Sequence, residues 1–310
     1  MNQPKSSREV MRPEGAIFCP YCHGETSHLL YATDRNRRTT FTKFEYRKCD
    51  RCGLIFMDSP PDDMSPFYKG GYDPIPSSAA ELQSIAAGEK YRTEGVLKYK
   101  DQGRCLEIGP WRGVICSNMK DAGFEVTAIE MDGQCVDFLR DQLGIRAIQS
   151  CDPAETMKTL EPGFDVIIAW HSLEHLPKAW TVIERAAQLL SPGGILLLAM
   201  PNPDSYEFSV LKGLWMHLDA PRHLYLFPIQ TLLQICDTNG LKPLELTTAD
   251  TFSNIQSRHA WQHLLRSSVP IPKLRQLLAI TVGNLLYRWG YPQQMLEGHG
   301  SAYTGVFVRR

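Results

Sequence analysis

The sequence predicts an α/β protein: a doubly wound sheet of seven strands, the last of them antiparallel, preceded by a small cysteine-bearing module. Three observations carry this. From residue 104 to the C-terminus, apolar strand-like runs alternate with helical stretches. The first run, 104–108, ends in the turn E-I-G-P-W-R-G (107–113). A helical stretch, 114–122, leads from there to Gly123, and a second run, 124–129, ends at Glu130. Two C-x-x-C pairs stand before residue 53. A strand–turn–helix–strand unit presents backbone N–H groups at a helix N-terminus, and an acid 21 positions after Gly109 can accept hydrogen bonds from both hydroxyls of a ribose.

At 310 residues, 43% hydrophobic and 22% charged, the chain has the composition of a soluble protein and the length of one large domain plus a small one. A net charge of -1 provides no global attraction for nucleic acid, and none is expected as a partner. No apolar h-region opens the chain, so a signal peptide is not expected. The apolar run 277–287 is interrupted by Thr281, Gly283 and Asn284, and falls short of the about 20 residues that span a bilayer. Nine cysteines without a secretory signal predict a cytoplasmic protein whose thiols serve metal or packing.

Residues 1–14 are polar and expected to fray. Cys19, Cys22, Cys49 and Cys52 then form two knuckles, 26 residues apart. Each knuckle aims two thiolates at one point, and together they complete a tetrahedral set for a structural Zn2+. A hairpin with one strand at 41–47 would absorb the long spacing. The first 60 residues hold ten Lys/Arg against seven acids, a mild basic excess that a solvated surface also explains.

The expected boundaries are a ribbon at 1–60, a linker and leading helix at 61–100, and the main domain at 101–310. Pro and Gly punctuate 58–78. Tyr68 and Tyr72 in that stretch are expected to face a neighbouring pocket, and 79–100 reads as one amphipathic helix. Strands are predicted at 104–108, 124–129, 145–149, 164–170, 194–200, 243–248 and 303–309. Helices are predicted at 133–142, 178–190 and 228–239, with S-P-G-G at 191–194 as a stop signal. A helical insertion is expected at about 253–295, as a lid, a dimer face or a surface lying on a membrane; a homodimer is one expectation.

Residues 104–201 resemble the class I S-adenosylmethionine (SAM)-dependent methyltransferases. LEIGPWRG resembles their (D/E)xGxGxG turn, AIEMD the acidic end of their second strand, and SCDPAET the segment against the adenine. FDVIIAWHSLEHLPKAWTVIERAAQLLSPGGILLLAMPN resembles the fourth and fifth strands of the quinone- and sugar-modifying branch. The ribbon, with CGLIFMDSPP and FYKGGYDP, resembles the zinc module of sugar C-methyltransferases, and DAPRHLYLF (219–227) an element at their acceptor pocket. The resemblance spans most of 17–250 and implies a Rossmann-like fold. One departure is Trp111, which stands where the family has its middle glycine.

The resemblance implies SAM contacts from Glu107, Gly109, Gly113, Glu130, Met131, Asp152, Ala154 and Trp170. It implies a small-molecule or sugar-nucleotide acceptor, methylated on oxygen or carbon, with Arg222, Tyr68 and Tyr72 beside it. Removing the acceptor's proton suits a histidine. His223, in P-R-H-L, is the favoured base; His171 and His175, four apart, are the other candidates. Two further readings compete: an RNA methyltransferase whose ribbon grips nucleic acid, and a SAM-binding protein without turnover.

Overall fold

The computed structural model describes residues 16–69, 74–268 and 272–310. Strands β1 (Thr26–Ala32), β2 (Phe44–Cys49) and β3 (Ile55–Met57) come first, then α1 (Ser65–Tyr68), α2 (Ala79–Gly88) and α3 (Tyr91–Leu97). The main layer alternates β4 (Gly103–Ile108), α4 (Val114–Asp121), β5 (Phe124–Glu130), α5 (Gly133–Asp141), β6 (Arg146–Gln149), α6 (Pro153–Met157), β7 (Phe164–Trp170), α7 (Ala179–Leu189) and β8 (Leu190–Pro201). After α8 (Tyr206–Leu211) and β9 (Tyr225–Leu226) follow α9 (Ile229–Thr238), β10 (Leu241–Thr247), α10 (Thr251–Ser268), α11 (Pro272–Gln294) and β11 (Ala302–Arg309).

The seven-stranded sheet has the order β10-β11-β8-β7-β4-β5-β6. Strands β6, β5, β4, β7 and β8 pair in parallel, and β11 runs antiparallel between β8 and β10. Strands β4 and β7 are covered by helices on both faces, which is why they read as continuous apolar runs. Their carboxyl ends meet at the point where strand order reverses, which in such sheets opens a crevice.

The ribbon has no core of its own. Its sheet runs β1-β2-β3-β9, and the fourth strand comes from the 219–227 segment of the main domain. Phe44, Tyr46, Ile55 and Met57 pack in one cluster with Trp215, Leu226 and Trp261. The small module is therefore welded to the large one.

Three elements differ from expectation. The single helix expected at 79–100 is two, because Gly88 ends α2 and Glu89 turns out of it (φ −118) to meet Arg92 and Arg112. The hairpin strand begins at Phe44, not at 41. The Thr40 hydroxyl takes the Thr42 amide in a local turn, and Phe41 is left 93% exposed. Strand β8 begins at Leu190, with the glycine-bearing stop looped out between the Phe164–Leu190 and Val166–Ile195 pairs.

Candidate active site

The loop after β4 holds three residues in the left-handed region: Gly109 (φ +70), Trp111 (φ +54) and Gly113 (φ +87). At Gly109 a Cβ would lie 2.8 Å from Ser172 Cβ, so two strand ends can approach only over a glycine. Trp111 keeps the left-handed backbone that glycine adopts freely, held there by an acid on the next strand. Its amide donates to Glu130 Oε2 (2.9 Å), while the amides of Met131 and Asp132 donate to Oε1 (2.7 and 2.9 Å).

Glu107, on the adjacent strand, is buried differently. Its Oε2 has no hydrogen-bond partner among the described residues. Burial pushes its carboxyl up to about 7, against hydrogen bonds from Cys116 and the field of Arg92. Trp170 Nε1, His171 Nε2 and Ser172 Oγ, at the end of neighbouring β7, are buried and likewise unpartnered among the described residues.

Trp170 and His171 border a cavity of 740 Å³. Trp111, Trp170, His171, Glu174 and His175 form its floor; Arg92 of α3 and Phe252, Gln256 and His263 of α10 form one side. His217, Asp219 and His223 close another side, and the ribbon contributes Asn36, Arg37 and Thr39.

The histidines have assigned tautomers, because a carbonyl can only accept. His223 Nδ1–H donates to the carbonyl of His217 (2.7 Å), and His175 Nδ1–H to that of Arg222 (3.1 Å). His171 Nδ1 meets Glu174 Oε1 at 3.2 Å. The rings of His175 and His223 stand edge to face at 4.5 Å. Burial drives His171 to about 3, with the Arg92 charge adding to it, and His175 to about 4; burial also lowers His223. All three are neutral at pH 7.

Arg222 is fully buried and reaches Asp219 (2.6 and 2.9 Å) and Asp34 of the ribbon (2.8 Å). Desolvation opposes the Asp34 charge, yet the Arg222 and Thr39 hydrogen bonds hold its carboxyl below the usual range. Arg222 thus ties the ribbon to the domain and does not line the cavity. Tyr46 adds a second tie, its hydroxyl donating to the carbonyl of His223 (2.7 Å). Tyr68 stands behind the cavity floor with its hydroxyl 3.1 Å from His175 Nδ1. Tyr72 lies outside the described residues.

Cys19, Cys22, Cys49 and Cys52 converge, with all four sulfurs within 4.8 Å of one another. The Cys19–Cys52 and Cys22–Cys49 separations are 3.7 and 3.4 Å, too long for disulfides. Asp152 caps α6, Ala154 is buried, and Met131 is 42% exposed beside Glu130. Sequence reasoning did not find Arg92, Phe252 or the ribbon's 36–39 loop, since only folding brings them to the strand ends. Gln256 and His263 come from the insertion for which a lid was one of the expected roles.

A methyltransferase-domain family profile matches residues 84–246. The ubiquinone biosynthesis O-methyltransferase of Bordetella bronchiseptica is 29% identical over 147 residues, which are 46% of this chain and 60% of that protein. Its counterpart from Bordetella pertussis is 26% identical over 54% of this chain and 67% of its own length. The chain therefore spans about two thirds or less of these relatives. A SAM-dependent methyltransferase structure from Archaeoglobus fulgidus shares the fold, with TM-score 0.50 and 15% identity over 74% of this chain and 94% of that one. Among the described residues, no helix is long and apolar enough to cross a membrane.

Proposed function

The chain belongs to the methyltransferase-domain family, matched over residues 84–246, and from that premise we propose that it is a SAM-dependent methyltransferase acting on oxygen of a small-molecule acceptor. The observation that carries the reading is the row of buried polar atoms without partners among the described residues at the ends of β4 and β7: Glu107 Oε2, Trp170 Nε1, His171 Nε2 and Ser172 Oγ. An orphaned buried group costs about 1–3 kcal/mol, so four at adjacent strand ends, with Trp170 and His171 lining the cavity, fit a polar ligand that satisfies them.

SAM fits this crevice on the chemistry of its donors and acceptors. Glu107 would meet the amino-acid end and Glu130 the ribose. Glu130 already accepts three backbone amides, which leaves roughly one of its four lone-pair positions for a hydroxyl. Met131, Asp152 and Ala154 would edge the adenine, and Trp170 would lie under the sulfur. When bound, SAM supplies an electrophilic methyl group on a cationic sulfur. The chain's own work is alignment of the acceptor and removal of its proton.

Among His223, His175 and His171, the geometry favours His171 as the base. Its Nδ1 is fixed by Glu174, its Nε2 has no partner among the described residues, and it borders the cavity next to Trp170. Sugar-nucleotide, phenolic and natural-product acceptors suit a cavity of 740 Å³. The ribbon's 36–39 loop turns toward that cavity, which supports a small molecule over RNA. A structural Zn2+ suits the four thiols: bonds of about 2.3 Å set tetrahedral sulfurs about 3.8 Å apart, close to the 3.4 and 3.7 Å found.

Isothermal titration with SAM and with S-adenosylhomocysteine tests the reading. Micromolar binding is expected, followed by methylation when nucleotide sugars and small phenols are screened. No binding to either by folded, zinc-loaded protein overturns it. Metal analysis should return at least one zinc per chain; less than about half an ion removes the ribbon assignment.

A further inference from the structure

We propose that the outer face of α11 docks on an anionic lipid surface. Its apolar side chains enter the boundary between headgroups and acyl chains, and Arg258 and Arg288 hold lipid phosphates.

An ordinary surface helix turns one apolar stripe to the core and polar residues to water. Helix α11 departs from that rule. Its inner face carries the buried Ala279, Gly283 and Gly290, and a Cβ at Gly283 would lie 2.9 Å from the α10 backbone at Gln262. On the opposite face Leu277, Leu285 and Trp289 are 59%, 62% and 69% exposed, at spacings of eight and four residues that keep them in line. Leu274 lies on the same face and is exposed as well. A row of large apolar side chains left in water marks an interaction surface.

Charge identifies what covers it. Residues 251–296 hold Arg258, Arg266, Lys273, Arg275 and Arg288 and not one acid, in a chain with 33 Lys/Arg and 34 Asp/Glu. A second copy of this face would set cations against cations. An anionic bilayer offers the opposite charge beside an apolar layer. Arg258 and Arg288, both exposed, line a groove of 460 Å³ between α10 and α11, together with Asn254, Asn284 and Tyr287. Asn284 Oδ1 accepts from Arg258 Nε (3.0 Å) and from Gln262 Nε2 (2.9 Å), which fixes the guanidinium at the groove. No acid stands among the described residues that line it. Trp289 is of the residue type that settles at a headgroup boundary. Arg288, beside it, can reach phosphates while its stem stays in the apolar layer. No described helix is long and apolar enough to cross a bilayer, and the contact proposed is peripheral.

The test uses the full, zinc-loaded chain without SAM or acceptor, so its outcome is independent of the proposed methyl transfer. The chain is sedimented with vesicles of phosphatidylcholine alone, and with vesicles of equimolar phosphatidylcholine and phosphatidylglycerol. Binding to the mixed vesicles is expected to be stronger by about tenfold or more. It should weaken as salt rises from about 0.1 to 1 M, where the Debye length falls from about 10 to 3 Å. Leu285→Gln with Trp289→Gln, and Arg258→Gln with Arg288→Gln, should each lower binding by about tenfold or more. All four side chains are exposed, and thermal melts check that both variants fold. No sedimentation with the mixed vesicles, equal sedimentation with both kinds, or unchanged binding in the folded variants overturns the proposal. A dimer that binds no vesicle and falls to monomers on Leu285→Gln with Trp289→Gln overturns it in favour of a second copy.

Discussion

Glu107 and Glu130 stand at the carboxyl ends of paired parallel strands, and both are nearly inaccessible, at 3% and 4% exposure. Their surroundings differ. Glu130 accepts three amides from the loop that begins at Trp111 and from its own chain, and so builds the turn. Glu107 carries an oxygen with no partner among the described residues, and burial pushes its carboxyl up to about 7. Two acids read alike from the motif are therefore used differently: Glu130 spends most of its acceptor positions on the turn, and Glu107 keeps one oxygen without a partner among the described residues. Desolvation is the largest influence on both; three backbone amides oppose it at Glu130, and Cys116 with the Arg92 charge oppose it at Glu107.

Substitution can break this contrast. The largest effect is expected for Glu130→Ala, which strips three amides of their acceptor and removes what holds Trp111 in its left-handed backbone. Urea unfolding should show a loss of about 3 kcal/mol or more. A loss under about 1 kcal/mol would make the two acids equivalent.

Glu107 makes the next largest prediction, through pH. Its folded carboxyl titrates near 7 against an ordinary 4.5, so the folded state binds more protons between those values. Stability is then greatest below about 4.5 and falls as pH rises to 7, by about 3 kcal/mol from this group. Glu107→Gln should flatten the slope, stabilise the protein at pH 8 and weaken SAM about tenfold, the size of one hydrogen bond to a charged group. An unchanged slope in the variant would sink the assignment.

Gly109→Ala sharpens the comparison at the turn the two acids flank. A positive φ and a Cβ 2.8 Å from Ser172 should cost about 1–2 kcal/mol without altering the pH slope, read from thermal melts at two pH values.

Much of this was legible before folding. The four cysteines lie in two tight local turns, so their spacing already implied convergence. The order of strands and helices from 104 onward follows from apolar periodicity, and β4, β5 and β7 lie within a residue or two of expectation. The glycine turn and the acids at the strand ends were visible because each is a short-range pattern. Trp111 was visible as a departure. That it keeps the left-handed backbone was not, because the carboxylate that accepts its amide comes from the next strand.

The features that short stretches of chain dictate are therefore local: knuckles, strands, caps, and the doubly wound class that their alternation implies. Tertiary structure alone decided the rest. It assigned Arg222 to Asp34, 188 residues away, and drew the ribbon's fourth strand from the main domain. It also set His223 against Glu174 and the α10 histidine beside them at one cavity. The physical reason is that burial and pairing belong to neighbours in space. A buried guanidinium needs two carboxylates, a sheet edge needs a partner strand, and a cavity takes its walls from whichever segments the core brings together.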